Sequence, residues 1–538
     1  MEKYVIGIDV GTGSARAGLF NLKGELIAAE KREITTWHDG PVMVEQSSEN
    51  IWTAICACVR GVVNKANIKA EQVIGIGTDA TCSLVVVDAL GNPISVGLSD
   101  DKNRNIIVWM DHRAVPQAER INAMGHEVLR YVGNRISPEM ETPKLLWLKE
   151  NKPQAFASAA HFFDLADYIT WRATGCLDRS ICTTTCKWTY LAHEQRWDGS
   201  YFREVGLSEL ADEDFKRIGT NMVDAGTALG QGLTAMAAAD LGLSIGTHVA
   251  AGLIDAHAGG VGTVGAAGNG DATSRLAYVF GTSACTMAST VQPAFIPGVW
   301  GPYFSAMVPG LWLNEAGQSA AGAAIDHLVM LHPAAAIAAE KAKEDKMGLT
   351  AWLAGQARSK VETASQVAHL AKGLHVVPEF LGNRAPFADP DAKGLIAGLD
   401  MDQSLDSLIN LYIAGLCGLG YGLRQIIETQ TAHGVVISSI VVSGGAGQEE
   451  VVRQLLADTT GVTIETPKTD EPVLLGAAML GAVAAGVYPN LTEAMSSMSA
   501  MGNVVSPVQG ELQDWHKRRF DGFRLLQETG RKLRHANI

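Results

Sequence analysis

The sequence has no excess of positive charge and no long apolar run. Against 43 lysines and arginines stand 57 aspartates and glutamates, a formal net charge of −14, and no block of basic residues forms a local patch. Nucleic acid and anionic membrane surfaces recruit proteins through clustered basic side chains, so neither is an expected partner. No uninterrupted apolar stretch approaches the ~18 residues of a spanning helix, and no charged segment leads into an apolar one with a cleavage site. A cytoplasmic protein is expected. Cysteine is scarce, eight in 538 residues, which argues for reduced thiols over a disulfide framework. Cys176, Cys182 and Cys186 fall close together in a Thr-rich stretch, but their spacing matches no zinc pattern and predicts small packed thiols.

What is present is length, glycine and hydrophobic patterning. The chain is too long for one ordinary core, and 57 glycines with 47% hydrophobic and 19% charged residues suit an α/β protein that turns tightly between strands and helices. Tyr4 to Asp9 and Ser14 to Phe20 read as strands, Asn21 to Gly24 as a turn into a third strand, and Ser47 or Ser48 as the cap of a helix with Ile51, Ile55, Val59 and Val62 on one face. The device strand, Gly-Thr, Ser, strand recurs at Arg275 to Thr286, about half the chain length after the first copy. Such a repeat predicts two related lobes with a cleft between them. The expected division is 1–265 and 266–538, with the boundary in the Gly/Ala-rich run Gly259 to Gly270. Leu405 to Gln430 reads as a long helix, and Ser439 to Val442 as a buried strand opening into a glycine-rich turn.

Three glycine sites carry the chemistry of anion binding. In Val10-Gly11-Thr12-Gly13-Ser14-Ala15-Arg16 the glycines allow close backbone approach, while N–H groups, two hydroxyls and a guanidinium can face phosphate oxygens. No Gly-Lys-Ser/Thr follows, and the next element is a strand, so this is not a Walker P-loop. Asp9 closes the preceding strand, where a carboxylate can hold Mg²⁺ through water. Gly281, Thr282 and Ser283 form the second copy. Gly444, Gly445 and Gly447, ahead of Gln448, follow a buried strand and suit the backbone approach of a base or ribose. Asp255, among small and apolar residues in Gly252 to His257, can accept a proton from a substrate hydroxyl. Trp109, Met110, Asp111, His112 and Arg113 combine an aromatic face with polar groups, as sugar sites do.

Taken in order, Ile8 to Ser14, Trp109 to Arg113, Gly252 to Ala256, Phe280 to Ser283 and Ser443 to Gly447 resemble the FGGY carbohydrate kinases over nearly the whole chain. Lys144 to Asn151 is similar to that family's N-terminal signature, with Glu141 where a small or hydroxyl residue is expected. Gly382 to Pro390 resembles its Gly-Glu-Arg-x-Pro loop, with Asn383 in place of Glu, so no charged role passes to Asn383. The Lys-Ser found after the adenosine glycines in many relatives is missing, which leaves the contact at Gln448 open.

The resemblance implies an α/β fold of two actin- or hexokinase-like (ribonuclease H-like) lobes, with ATP and Mg²⁺ in the cleft and a sugar hydroxyl as acceptor. Asp255 becomes the general base and Asp9 the metal residue. Gly11, Thr12, Gly13, Ser14, Arg16, Gly281, Thr282 and Ser283 become phosphate contacts, and Gly444, Gly445, Gly447 and Gln448 adenosine contacts. Ser83, Trp109, Met110, Asp111 and His112 are expected to join Asp255 around the sugar. Thr81 to Val85, following Gly77-Thr78-Asp79, resembles the pentulose kinase branch acting on D-ribulose; L-ribulose, xylulose and pentitols such as ribitol are the alternative acceptors, and the family suggests a homodimer. An actin- or chaperone-like ATPase or a catalytically silent sugar sensor remains as a reading from another class.

Overall fold

The computed structural model describes residues 2–268 and 270–535. Asn269, inside the stretch expected to hold the lobe boundary, lies outside the described residues. Two sheets of the same design dominate. In the first, Tyr4–Val10 pairs antiparallel with Ser14–Asn21, which pairs antiparallel with Leu26–Glu33. On its other side Tyr4–Val10 runs parallel to Val73–Ala80, which is parallel to His248–Val249 and Leu253–Ile254. In the second, Arg275–Phe280 pairs antiparallel with Ala284–Thr290, which pairs antiparallel with Trp312–Gln318. On its other side Arg275–Phe280 runs parallel to Ser439–Ser443, itself parallel to Thr463–Pro467.

Why these residues form these strands is legible in burial. Tyr4–Val10 is buried throughout, the signature of a central strand covered on both faces. Helix Ser48–Lys65 covers one face; Ser47 caps it by accepting from the Asn50 N–H, and Ile51, Ile55, Val59 and Val62 turn inward. The other face is covered by helix Pro472–Ala484, which comes from the second half of the chain yet packs on Tyr4–Val10 and Val73–Ala80. Helix Asp255–Val264 makes the reciprocal contact with Arg275–Phe280. The lobe boundary expected in Gly259 to Gly270 therefore starts inside a buried helix.

These two helices cross at van der Waals distance because glycines face each other's backbone. A Cβ at Gly476 would lie 2.0 Å from the Ala258 carbonyl oxygen, and one at Gly262 would lie 1.9 Å from that of Pro472. Any side chain there would force the helices apart.

A third sheet, with order Thr36–Asp39, Met43–Gln46, Ile106–Ile107, Leu84–Val87 and His161–Asp164, enlarges the first lobe. Segments that flank its strands, Thr81 and Cys82 before Leu84–Val87 and Trp109 after Ile106–Ile107, line the cleft. Among the described residues no single helix is long and apolar enough to cross a membrane.

Candidate active site

A cavity of about 460 Å³ opens between the two halves, with walls from both. Its first-lobe wall begins where Tyr4–Val10 ends. Asp9 is buried and paired with Arg16 across the turn, through the guanidinium Nε at 2.8 Å and through Nη2. Arg16 reaches back to Glu471 at 2.7 Å, so a second-half residue at the start of helix Pro472–Ala484 helps to aim it. The turn itself closes by a Gly11 N–H to Ser14 carbonyl bond of 3.0 Å. A Cβ at Gly13 would meet nothing within 4 Å, which leaves bare backbone facing open space. The second copy has the same form: Gly281 N–H donates to the Ser283 carbonyl at 2.9 Å, and Gly281 and Thr282 are exposed along the cavity. Gly444 holds a φ of +96° and, with Gly445, is exposed, whereas Gly447 is buried against Val442. Gln448 is exposed and its backbone carbonyl accepts from Arg453.

Asp255 opens helix Asp255–Val264 and lines the cavity. Its carboxylate accepts from the Ala256 N–H at 2.7 Å. Burial, and then the neighbouring Asp9 charge, push its pKa up to about 6. Asp79 stands opposite Asp9 in the parallel register, fully buried, and among the described residues no donor reaches either of its carboxylate oxygens. Burial and then the Asp9 and Asp255 charges raise its pKa well above the usual carboxylate range. Three acidic groups thus converge where Arg16 is paired, of the three, to Asp9 alone, an arrangement that invites a cation.

The opposite wall has mixed sign. Lys187 comes from the end of helix Ile181–Trp188, Glu315 from strand Trp312–Gln318 and Arg384 from the Gly382 to Asp389 loop. Burial alone would lower the Lys187 ammonium, but the Glu315 carboxylate, together with Cys82, Tyr303 and Cys186, more than offsets this and holds it well above its ordinary value. Burial alone would raise Glu315, yet Lys187 and then His257 bring it down to about 2. The Lys187 ammonium sits 4.7 Å from the Trp300 ring centroid. Asn383 braces the loop that presents Arg384, donating to Glu379 at 2.6 Å and accepting from the Phe387 N–H at 3.0 Å.

The residues expected around the sugar divide. Trp109 lines the cavity, and its indole N–H donates to the Thr12 hydroxyl at 2.9 Å, tying this wall to the Gly11 to Ser14 turn. Ser83 is fully buried, bonded to the Thr81 hydroxyl at 3.1 Å and accepting from the Trp109 backbone N–H at 3.1 Å. The structure therefore puts Ser83 behind Trp109 and outside the cavity wall. Asp111 is also fully buried; it accepts from the Val44 N–H at 2.6 Å and pairs with Arg113 at 2.8 Å. Met110 is half-buried off the cavity, and the half-exposed His112 faces Glu139 at 3.5 Å. Asp79, Lys187, Glu139, Glu315 and Arg384 are the groups that reading the sequence did not single out. Asp79 had a signal, since it ends the strand parallel to the one that ends in Asp9.

Comparison with known proteins extends this geometry. Residues 4–262 match the model of the FGGY family of carbohydrate kinases, N-terminal domain, and residues 276–485 match that of its C-terminal domain. An FGGY carbohydrate kinase domain-containing protein of Homo sapiens is 45% identical, the alignment covering 98% of this chain and 96% of the relative. A D-ribulokinase of Saccharomyces cerevisiae is 39% identical, covering 90% of this chain and 72% of that one. Among solved structures, a xylulose kinase from Rhodospirillum rubrum superposes with a TM-score of 0.79 at 21% identity, over 99% of this chain and 100% of its own. That likeness bears on the two-lobed α/β fold.

Proposed function

The chain belongs to the FGGY family of carbohydrate kinases, and from that premise we propose that it phosphorylates the terminal hydroxyl of a pentulose, converting D-ribulose to D-ribulose 5-phosphate with ATP and Mg²⁺. The family makes it a phosphotransferase with a sugar acceptor. The observation that supports the mechanism is Asp255, a carboxylate in the cavity held near neutrality and set between the two phosphate turns. A base with such a pKa is ionised at neutral pH yet able to take a proton.

In this reading Asp255 removes the proton from the terminal hydroxyl of the sugar. The freed oxygen forms a bond to the γ-phosphorus, and the bond from that phosphorus to the β–γ bridging oxygen breaks, leaving ADP. The residues Gly11, Thr12, Gly13, Ser14, Arg16, Gly281, Thr282 and Ser283 orient the phosphates through N–H groups, hydroxyls and one guanidinium. Gly444, Gly445 and Gly447 form the adenosine side, with Gln448 at its edge. Asp9 and the unpartnered Asp79 oxygens fit a hard divalent cation held by carboxylates, directly or through water. Bound there, Mg²⁺ would offset negative charge on the phosphates. On the sugar side Trp109 offers an aromatic face, and Lys187, Glu315 and Arg384 offer donors and acceptors for hydroxyls.

D-ribulose is favoured by the yeast D-ribulokinase relative. Buried groups built to bond particular hydroxyls reject an epimer that leaves them unpaired. The test is a coupled ADP-release assay across D-ribulose, L-ribulose, D- and L-xylulose, ribitol, L-arabinitol and glycerol. D-ribulose should give the highest kcat/KM, at least about tenfold above its ketopentose epimers. A different leading sugar would remove the D-ribulose assignment and leave the kinase assignment standing.

A further inference from the structure

Behind Asp255 lies a cluster that phosphoryl transfer does not use. Cys182 and Cys186 are one helical turn apart on Ile181–Trp188, and His257 is on the first turn of Asp255–Val264; all three are fully buried. One donor atom from each comes within 4.8 Å of the others. Cys182 Sγ lies 3.0 Å from His257 Nδ1, and the other ring nitrogen of His257 lies 3.4 Å from Glu315 Oε2.

We propose that Cys182, Cys186 and His257 bind a thiophilic d¹⁰ cation, Zn²⁺, as a buried site with three protein donors. The donor set is the first reason. Two thiolates and an imidazole suit Zn²⁺ and not the hard Mg²⁺ of the cleft. Charge is the second, because two thiolates neutralise Zn²⁺ and the site costs little to bury, each thiol losing its proton as the ion enters and no sulfur changing oxidation state. The third is Glu315. A metal-ligating imidazole usually donates its second N–H to a carboxylate, and Glu315 stands where His257 needs one. The fourth concerns the neighbourhood: Tyr303, on the strand Trp300–Phe304 that packs against this helix, is fully buried and its hydroxyl makes no hydrogen bond.

A disulfide is the weaker use of the pair. Residues four apart on a helix hold their Cβ atoms about 5–6 Å apart, whereas a disulfide needs roughly 3.5–4.5 Å. A metal spans the gap, since ligand sulfurs at ~2.3 Å from zinc are separated by nearly 4 Å in a tetrahedral shell. The site would also act on Asp255 indirectly. The Ile254 N–H donates to Cys182 Sγ at 3.4 Å, so an ion that fixes this sulfur fixes the peptide entering the base.

The site is closed to solvent, so the ion must enter as the chain folds. The test is elemental analysis of full-length protein produced with zinc in the medium and then dialysed against EDTA, which strips ions held by carboxylates in the open cleft. About one zinc per chain should survive dialysis and fall at least about tenfold in Cys186→Ser. Protein produced in cobalt medium should show near-ultraviolet thiolate-to-cobalt charge transfer and strong tetrahedral visible bands. Less than about one-tenth of an ion per chain in the wild-type protein, full retention by Cys186→Ser, or pale octahedral cobalt bands would each overturn the proposal, leaving a thiol–imidazole pair. If Cys186→Ser does not fold, the wild-type cobalt spectrum decides alone.

Discussion

Asp255 is the residue on which the proposed chemistry turns, and its neighbours explain why. It is a carboxylate among carboxylates, raised by burial and by Asp9 and bonded only to the N–H of Ala256. Asp255→Asn keeps the shape and that hydrogen bond but cannot take a proton. Turnover should fall about 10²-fold to 10⁴-fold with nucleotide affinity retained, as read by steady-state kinetics beside a nucleotide-binding titration. Turnover within about threefold of wild type would remove Asp255 from the mechanism. The sequence made Asp9, Gly11, Arg16, Trp109, Asp255 and Gly281 legible because they sit in contiguous motifs whose backbone form places them on one cleft. It did not reveal Lys187, Glu315 or Arg384, which come from separate elements and meet only through packing. Ser83 and Asp111 failed for a sharper reason. Near a strand end the facing of a side chain alternates with every residue, and a polar group in a short segment gives no sign of which side it takes. Both point into the protein, where Ser83 holds Trp109 and Asp111 holds Arg113. The clustered cysteines gave no sign of the imidazole that packs against Cys182, because His257 lies 75 residues beyond it.

At the scale of elements, the periodic segments were readable and the irregular ones were not. Ser48–Lys65 and Leu405–Ala432 follow from capping serines and apolar spacing, and the paired strands of the two halves follow from their shared turn. The third sheet did not announce itself, since two- and four-residue strands are too short to show a period and owe their form to neighbours. The last helix, Glu511–His535, shows how an element can be tied by one proton. His516 is buried, and its Nδ1 lies 2.9 Å from the Tyr421 hydroxyl on Leu405–Ala432. Burial first, then the charges of Arg519, His369 and Arg424, lower its pKa from 6.5 to about 4. The folded state therefore binds this proton more weakly than the unfolded chain. The stabilisation by neutral His516 is complete above about pH 6.5 and is lost as the pH falls from there towards 4. Between pH 7 and pH 5 the wild type should lose about 2 kcal/mol more than His516→Gln, the linkage expected for such a shift. Denaturant midpoints of the transition that releases this helix, measured for both proteins at the two pH values, give the difference. Equal losses would show that His516 does not govern the docking of the helix.

For the whole molecule, the repeated sheet design and the crossing of helices Asp255–Val264 and Pro472–Ala484 set the mechanics. Each helix packs on the sheet of the other half, and the glycine-to-backbone contacts at Gly262 and Gly476 leave almost no space between them. A crossing this tight resists separation and allows rotation, which makes it the natural pivot between the two lobes. The net charge of −14 would repel an anionic nucleotide from most of the surface. At the cavity Arg16, Lys31, Lys187 and Arg384 stand beside Asp9, Glu139, Asp255 and Glu315, so the lining is balanced in formal charge where the rest of the surface is acidic. The two glycine turns at Gly11 to Ser14 and Gly281 to Ser283 stand on opposite lobes. If a single nucleotide engages both, and the sugar engages Asp255 and Trp109 on one side with Glu315 and Arg384 on the other, each ligand draws the same two walls together. Binding of one then prepares the walls for the other, and the coupling is reciprocal. Small-angle scattering should show the radius of gyration fall by on the order of 1 Å when a non-hydrolysable ATP analogue and the sugar are both present, and by less with either alone. Sugar affinity measured by calorimetry should rise with the analogue bound by the same factor as analogue affinity rises with sugar bound. No compaction with both ligands, together with unchanged affinities, would mean that the lobes are fixed and that the two turns serve separate purposes.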